Sequence, residues 1–461
     1  MIKSSRILIF EILDNLLIQQ RPDIKKTFGQ VVDSVKHDTG ININYIRNMV
    51  SDIIRKKIYL DFIISNYSRV SLGKLKRKEK IILYAGIYEL LFSSAPPYAA
   101  VNENVRLAKL KCSRYFIKFV NSFLRKISAM KNEILAEKKT LPDPIKYSTP
   151  EDLIKILRSS KYLKDHLVSI LQSSQSPPHY FISAVNQNDK EIEQLKNFLI
   201  EDGAEFEKCD GFHYLFFLNS CLKPIHALKA VINGAGYIQD KSSAYCAELI
   251  RDEIIYEKAD FLYDCCCAPG TKIIGAINPL SFDKKISVIG ADINFKRLLL
   301  TRGNFKILTE QKNTYKKKIM LICADSEKPV IKIKTGKKYI FCLDAPCSGI
   351  GIISKYPEKL LYFNPATIDI LAEKQYSLLK NIVSLAPKDS TIIYSVCSIT
   401  QQETFGVIER ILNDFPELKC KKIDDNSISV KFENYIQTDK GLLIIQKLNK
   451  NDGFFIAKLK K

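Results

Sequence analysis

A short apolar run meets a turn of small residues in Phe261-Leu262-Tyr263-Asp264-Cys265-Cys266-Cys267-Ala268-Pro269-Gly270-Thr271-Lys272. The run predicts a β-strand, and a helix-like segment follows the turn. Small residues in such a turn let a ligand approach the backbone, and the N-terminus of the following helix favours negative charge. The stretch therefore predicts the first strand-to-helix turn of a ligand-binding α/β domain.

The alternation of strand and helix continues along the rest of the chain from about residue 240. Further predicted strands occupy residues 286–290, 319–323, 340–343, 391–394, 442–445 and 454–459. Helix-like segments lie between them, notably at 366–384 and 401–412. This order is typical of a doubly wound α/β domain, which binds ligands at the carboxyl ends of its strands.

Two aspartates end successive predicted strands at that edge. Asp292 ends the second strand, where a carboxylate suits ribose hydroxyls, and Asp325 follows the third, where it can accept a hydrogen bond from an adenine amino group. The first turn lacks the G-x-G-x-x-G pattern, which disfavours a dinucleotide. A single nucleoside with a short polar tail fits better, although each aspartate alone can simply cap a helix.

Two cysteine segments follow the next pair of predicted strands. They are Asp344-Ala345-Pro346-Cys347-Ser348-Gly349 and Tyr394-Ser395-Val396-Cys397-Ser398. One thiolate can attack a substrate carbon and the other can move a proton. The alternative is that both cysteines are small core residues, since free cysteine is often buried.

The first 135 residues or so have a helical pattern, with apolar residues at helical spacing in Leu83, Ile87, Leu90 and Leu91 and in Val120, Phe123, Leu124 and Ile127. Pro96-Pro97 predicts a break between helices. The polar faces carry two basic groups: Lys74, Lys76, Arg77, Lys78 and Lys80, and Lys109, Lys111, Arg114 and Lys118. They serve either helix solubility or contact with RNA phosphates.

A chain of 461 residues is too long for one hydrophobic core, so we expect two or three domains. A Pro-rich linker near residues 140–144 precedes a mixed α+β segment, so we place boundaries at 1–138, 145–235 and 236–461. In the middle segment we predict helices at 151–157 and 190–199 and strands at 180–185 and 213–218.

The net charge of +21 indicates a polyanionic partner, most often nucleic acid or an anionic membrane, and we favour nucleic acid over a merely basic surface. The twelve cysteines contain no C-x-x-C pair and the five histidines are scattered, so we expect neither a disulfide scaffold nor a metal site. Glu11 and Asp14 interrupt the N-terminal stretch, which is neither a signal peptide nor a membrane span. We therefore expect a cytoplasmic protein.

These segments together resemble the bacterial 16S ribosomal RNA cytosine-C5 methyltransferases of the NOL1/NOP2/Sun type that carry a NusB-like N-terminal domain. Beyond the segments above, the resemblance rests on five motifs spread over nearly the whole chain. They are Ala85-Gly86-Ile87-Tyr88-Glu89-Leu90-Leu91, Pro96-Pro97-Tyr98-Ala99-Ala100-Val101-Asn102-Glu103, Val120-Asn121-Ser122-Phe123-Leu124-Arg125, Gly236-Tyr237-Ile238-Gln239-Asp240 and Asp452-Gly453-Phe454-Phe455-Ile456-Ala457-Lys458-Leu459.

The resemblance implies a fold, a cofactor and a partner. The expected fold is multidomain: an all-α NusB-like helical domain, a small α+β subdomain and an α/β Rossmann-like class I methyltransferase domain. The expected cofactor is S-adenosyl-L-methionine (SAM), and the expected partner is small-subunit ribosomal RNA, bound by a monomer without a membrane or a metal.

The resemblance also implies roles for individual residues. Cys397 matches the nucleophile that adds to C6 of cytosine, Cys347 the cysteine that aids product release, and Asp344 a residue near both base and methyl donor. Arg297 and Gln239-Asp240 lie at family-like positions of lower rank. Cofactor positions match Cys266, Cys267, Ala268, Pro269, Gly270, Thr271, Lys272, Asp292, Asp325 and Asp344.

Two departures from the family pattern leave alternatives open. Thr271 replaces a second glycine, and a β-branched residue disfavours positive φ and can crowd the methionine tail. Ser354, Lys355 and Tyr356 precede Pro357 where the family tends to have arginine and histidine. One alternative is an RNA-binding or assembly protein without activity, and another is the same chemistry on transfer RNA or large-subunit RNA.

Overall fold

The computed structural model describes residues 4–19, 22–32, 42–280, 286–310, 319–328 and 330–461. The chain forms two compact units. The first contains Met1–Pro177 and Ile353–Asn364, and the second contains Pro178–Ile352 and Pro365–Lys461. The three-domain division made from the sequence stays a prediction.

The first unit is helical in its described residues, as the sequence predicts. Its helices are α1 Ser5–Leu16, α2 Ile24–Val32, α3 Ile43–Arg55, α4 Lys57–Tyr67, α5 Arg77–Phe92, α6 Pro97–Lys111, α7 Arg114–Ala129, α8 Lys131–Glu137, α9 Asp143–Lys146, α10 Glu151–Ser159 and α11 Leu167–Ser174.

Hydrophobic burial accounts for these helices. All the apolar residues that predicted α5 and α7 are buried in one core with residues of α1, α3, α4 and α6. Pro97 stands at the start of α6, where its missing N–H costs nothing. One of the buried polar residues in this unit is Glu89, whose carboxylate lies 2.7 Å from Arg6 and accepts a hydrogen bond from Asn104 at 2.6 Å.

A short segment of the second half of the sequence belongs to this helical unit. Residues 353–364 leave the second unit just after the first cysteine segment. Buried Arg55 donates to the carbonyl of Ser354 at 2.7 Å, and the backbone N–H of Ile24 donates to Glu358 at 3.3 Å. Nothing in the local sequence pattern predicts this placement.

The second unit begins with a small antiparallel sheet of order β2-β3-β1-β4. Its strands are β1 Tyr180–Ala184, β2 Glu205–Lys208, β3 Leu215–Ser220 and β4 Gly236–Ile238, with helices α12 Asp189–Glu201 and α13 Lys229–Ile232. The predicted strand at 213–218 is therefore shifted by two residues.

The rest of the second unit is a mixed sheet flanked by helices. Its strands are β5 Phe261–Asp264, β6 Ser287–Asp292, β7 Ile319–Cys323, β8 Tyr339–Asp344, β9 Thr391–Val396, β10 Lys419–Lys421, β11 Tyr435–Thr438, β12 Gly441–Ile444 and β13 Phe454–Lys460. Its helices are α14 Lys241–Tyr256, α15 Thr271–Ile277, α16 Phe295–Glu310, α17 Ala366–Leu385, α18 Phe405–Asp414 and α19 Asp425–Ser429.

The strand order of this sheet fixes where a ligand can bind. The order is β11-β12-β13-β9-β8-β5-β6-β7, with β10 pairing β13. Strands β9, β8, β5, β6 and β7 run parallel to one another, whereas β13 runs antiparallel to β9. The chain reverses its direction of travel between β5 and β8, which is the switch point where ligands bind in such sheets.

Two features of this sheet differ from the sequence prediction. The predicted helix at 401–412 begins only at Phe405, because residues 401–404 form a turn. Strands β10 and β11 were not predicted, and their sequences show half-buried or exposed positions that lack a clear apolar pattern.

None of the described helices combines the length and the apolar character that a membrane crossing requires.

Candidate active site

The carboxyl edge of the parallel strands gathers most of the predicted site residues. Asp264, Asp292 and Asp344 are the last residues of β5, β6 and β8, and Cys397 directly follows β9. Because neighbouring strands are parallel, these ends share one edge of the sheet. The predicted common edge is correct for Asp292, Asp344 and Cys397, and Asp264 lies at the same edge.

Backbone hydrogen bonds to neighbouring strands hold the first turn in place. The N–H of Cys265 donates to the carbonyl of Cys342 at 2.9 Å, and the N–H of Cys267 donates to that of Ala291 at 2.9 Å. The N–H of Ala268 donates to the carboxylate of Asp292 at 3.3 Å. The turn is thus attached to two neighbouring strands, β8 and β6, before α15 begins.

Glycine is required at one position of this turn. Gly270 has φ +92°, and a Cβ atom there would lie 2.9 Å from Cγ2 of Thr301. Thr271 is instead the first residue of α15 and is not among the residues with positive φ. The concern that a β-branched residue at 271 would be forced into positive φ is therefore wrong, since that conformation falls on Gly270.

The predicted ribose position, Asp292, is buried and already bonded to its own loop. Its carboxylate accepts from the N–H of Asn294 at 2.8 Å. The Arg297 guanidinium lies 3.7 Å from the same carboxylate and donates to the carbonyl of Ala268. Arg297 therefore ties the first turn to the β6 edge through the backbone, although its side chain is 55% exposed.

Asp325 lies just beyond the carboxyl end of β7. Its carboxylate accepts from the backbone N–H of Glu327 at 3.1 Å, so it starts the turn that follows. The N–H of Ala324 donates to the carbonyl of Asp292 at 3.2 Å, which brings this turn beside the β6 edge. Asp325 is half-buried, and its role as the adenine partner stays a prediction.

Lys272 and Asp344 form the ion pair of the site. Their side chains meet at 2.6 Å, and the other carboxylate oxygen of Asp344 accepts from the hydroxyl of Ser395 at 3.0 Å. Burial opposes the charge of the Lys272 ammonium, but the Asp344 carboxylate outweighs it, so the pKa of Lys272 is raised. Negative charge on Cys397 acts in the same direction.

The two cysteines of the paired segments are in contact. The sulfur atoms of Cys347 and Cys397 are 3.2 Å apart, and both residues are half-buried. The hydrogen bond to Cys397 and burial raise the pKa of the Cys347 thiol well above its ordinary value. Cys347 therefore keeps its proton more readily than an ordinary thiol.

A further acidic group was not among the predicted site residues. Asp264 is buried and accepts from the backbone N–H of Cys266 at 3.1 Å. Burial, followed by the nearby charge of Asp344, raises the pKa of Asp264 to about 7. The signal was present in the sequence, because Asp264 ends the first predicted strand as Asp292 ends the second.

Gln239 and Asp240 support the site from β4 and α14. The Gln239 side-chain amide donates to the carbonyl of Thr271 at 3.3 Å, and Asp240 caps α14 by accepting from the N–H of Ser242 at 2.9 Å. Both residues hold elements that surround the first turn.

One histidine joins acidic residues that the sequence keeps far apart. His179 lies 3.7 Å from the carboxylate of Asp452, and both side chains are buried. Ligand-type atoms of these two residues and Asp240 lie within 4.8 Å of one another. The absence of a metal site therefore stays a prediction, although a buried imidazole beside two carboxylates is also explained as charge pairing.

Two family models match the chain. Residues 254–460 match the model described as 16S rRNA methyltransferase RsmB/F, and residues 3–129 match the NusB family. The sheet, the site at its carboxyl edge and these two matches define the class of the protein as a methyltransferase.

Curated relatives align with this chain over most of their length. The chain is 24% identical to ribosomal RNA small subunit methyltransferase B of Pasteurella multocida, covering 96% of this chain and 94% of the relative. It is 25% identical to the probable ribosomal RNA small subunit methyltransferase B of Bacillus subtilis, covering 91% of each.

Solved structures share the fold. The crystal structure of PH0851 has a TM-score of 0.73 at 19% identity and covers 99% of this chain and 98% of its own. NSun6 from Pyrococcus horikoshii, solved with SFG, has a TM-score of 0.54 at 17% identity, covering 68% and 98%.

Residues 254–460 belong to the RsmB/F family of 16S rRNA methyltransferases, and residues 3–129 form an N-terminal region of the NusB family. The predicted fold class, family and enzyme class are confirmed.

Proposed function

We propose that this protein methylates C5 of a cytosine in 16S ribosomal RNA, using SAM as methyl donor and Cys397 as a covalent nucleophile. The observation that supports this mechanism best is the 3.2 Å contact between Cys347 and Cys397 beside the Lys272–Asp344 pair. The family supplies the RNA class, and the geometry supports the covalent step.

The residues at the sheet edge suit SAM in their chemistry. SAM carries an ammonium group, a sulfonium charge, ribose hydroxyls and an adenine amino group, all of which favour acidic partners. The edge presents four carboxylates, those of Asp264, Asp292, Asp325 and Asp344. We therefore assign cofactor binding to residues 266–272 together with Asp292, Asp325 and Asp344. When bound, SAM supplies an electrophilic methyl group.

Cys397 begins the reaction at the base. Its thiolate adds to C6 of cytosine, forming a carbon–sulfur bond while the electron pair of the C5–C6 double bond moves toward C5. Lys272 favours the thiolate, and Asp344 is held by Lys272 and Ser395 where it can stabilise a proton at N3. The target cytosine must be unpaired or flipped out to reach the sulfur.

Cys347 completes the reaction because its acidity depends on Cys397. The hydrogen bond to Cys397 and the negative charge of Cys397 are two of the causes that hold the Cys347 proton. Both causes disappear once the Cys397 sulfur is bound to C6. Once C5 carries the methyl group, Cys347 can release its own proton to solvent water and, as a thiolate, take the C5 proton. The electron pair of that C–H bond restores the C5–C6 double bond and expels the Cys397 thiolate.

The helical unit supplies basic groups for the RNA backbone. Lys74, Lys76, Arg77 and Lys78 are exposed before or at the start of α5, and Lys109, Arg114 and Lys118 are exposed on α6 and α7. Such cations hold phosphates without reading the base sequence. That the protein works as a cytoplasmic monomer remains a prediction.

Transfer of radiolabelled methyl groups from SAM to 16S ribosomal RNA tests the proposal. Wild-type protein should form 5-methylcytosine, identified in a nuclease digest of the RNA, and Cys397→Ala should reduce transfer to background. Methylation of adenine or of a ribose, or full activity of Cys397→Ala, would contradict the proposal.

A further inference from the structure

One buried carboxylate joins the two cysteine segments. Glu403 lies in the turn between β9 and α18 and is fully buried. One of its oxygens accepts from the backbone N–H of Ser348 at 2.7 Å and from the side-chain amide of Gln375 at 3.0 Å. The other accepts from the hydroxyls of Ser348 at 2.5 Å, Ser398 at 2.6 Å and Thr400 at 2.9 Å.

The donors come from both sides of the reaction centre. Ser348 directly follows Cys347, and Ser398 directly follows Cys397. The hydroxyls of these serines are also within 3.2 Å of each other. A single side chain is therefore bonded to the residue beside each cysteine, and the two sulfurs are 3.2 Å apart.

Other buried groups fix Glu403 in turn. Gln375 of α17 is fully buried and also donates to the carbonyl of Pro346 at 2.9 Å. The hydroxyl of Tyr394 donates to the backbone carbonyl of Glu403 at 2.7 Å. These contacts explain why residues 401–404 form a turn where the sequence predicts helix, since a helix starting at 401 would change the path of Glu403.

We propose that Glu403 is the positioning residue that sets the distance between the nucleophile Cys397 and the proton-transferring Cys347. This inference rests on the proposed function of the two cysteines. Glu403 acts through Ser348 and Ser398 and does not touch the reacting atoms. A buried network of this kind can fix the positions of reactive groups, because each donor in it has few other acceptors within reach.

Two substitutions at 403 separate the carboxylate charge from the network geometry. Glu403→Gln keeps the size of the side chain. Its amide oxygen can still accept from the Ser348 N–H and from Gln375, and its NH2 group can donate to two of the three hydroxyls, which can rotate to accept. Glu403→Ala removes all five hydrogen bonds. We expect Gln to retain methyl transfer within about tenfold of wild type, whereas Ala should lower kcat about 100-fold with the KM for SAM little changed.

Single serine substitutions test each side of the network without removing the carboxylate. Ser398→Ala should slow formation of the RNA–protein adduct, because Ser398 adjoins the nucleophile. Ser348→Ala should slow release and therefore increase the adduct at steady state. Glu373→Gln, an exposed glutamate of α17, is the matched control and should behave as wild type.

The outcomes distinguish the two proposals. If Glu403→Ala folds and shows wild-type kcat and adduct levels, the positioning role is wrong. If Glu403→Ala does not fold, the serine variants decide, and unchanged adduct formation and release in both would overturn the role. Cys397→Ala is measured in parallel: its full activity would contradict the covalent mechanism itself, whatever the Glu403 variants do.

Discussion

The Lys272 ammonium lies 2.6 Å from the Asp344 carboxylate, and this pair joins the cofactor turn to the first cysteine segment. Lys272 comes from the start of α15, and Asp344 is the last residue of β8. The pair places a positive charge close enough to Cys397 to influence its thiolate.

Lys272→Met should lower kcat/KM about 100-fold, because it removes both the partner of Asp344 and the positive charge that favours the Cys397 thiolate. Methionine keeps most of the apolar length of lysine, so the fold should be retained. Steady-state methylation assays check this. Lys388→Met, at an exposed position, is the control, and equal rates in both variants would show that the pair has no catalytic role.

Cys347→Ala should trap the enzyme on its RNA. The Cys397 sulfur remains able to add to the base, but the group that removes the C5 proton is lost. A species of reduced mobility should accumulate on denaturing gels after incubation with SAM and 16S RNA. Cys420→Ala, in β10, should show none. Rapid turnover without such a species would assign product release to another group.

Asp264 should make stability depend on pH. The pKa of Asp264 is raised from 3.8 to about 7. Its favourable contribution to the free energy of unfolding is therefore fully present below pH 4 and is lost as the pH rises through 7. Asp264→Asn removes the buried charge, and it should therefore become more stable relative to wild type between pH 5 and 8. The gain should be a few kcal/mol, at about 1.4 kcal/mol per pKa unit.

Calorimetric melting of the SAM-free protein at pH 5 and pH 8 measures this difference. Asp260→Asn is the control, because a backbone hydrogen bond from Lys338 lowers the pKa of Asp260 and its contribution is constant over this range. If the stability difference between Asp264→Asn and wild type is the same at pH 5 and pH 8, Asp264 does not ionise between these pH values.

The basic residues around the N-termini of α5 and α7 should contribute part of the affinity for RNA. A cavity of about 390 Å³ lies between these helix starts and is lined by Lys76, Arg77, Lys78, Glu79, Lys111, Cys112 and Ser113. Changing Lys76 and Lys111 together to alanine should weaken RNA binding. It should also reduce the slope of log affinity against log salt by about 0.7 for each phosphate that the variant no longer neutralises.

Filter binding over a range of salt concentrations checks the slope. Lys155→Ala is the control, since Lys155 already pairs with Glu151 at 3.0 Å. An unchanged slope in the double variant would place the phosphate-binding groups elsewhere.

The parallel strands of the large sheet could be predicted from the sequence because each is a short run rich in apolar residues. That pattern placed Asp292, Asp344 and Cys397 at one edge of the sheet, as the structure has them. The sequence also suggested that position 271 needs a positive φ, whereas the residue with positive φ in this turn is Gly270. Backbone conformation inside a turn depends on which residue starts the helix, and a single sequence shows that boundary poorly.

Contacts between residues far apart in the sequence were not predictable for a different reason. Glu403 bonds to Ser348, 55 residues away, and Arg55 bonds to Ser354, 299 residues away. Periodicity reports which face of an element is buried, but it does not report which distant element covers that face. The turn at 401–404 follows from such a contact and was therefore assigned to a helix.

Trapping the covalent intermediate tests the central claim most directly. In RNA made with 5-fluorocytidine, fluorine at C5 cannot leave as a proton does, so an adduct through C6 should persist. Incubation with SAM, proteolysis and mass spectrometry should find the modified nucleotide on the peptide that contains Cys397. Attachment to Cys347, or methylation of ordinary RNA with no adduct on any cysteine, would contradict the assignment of Cys397 as the nucleophile.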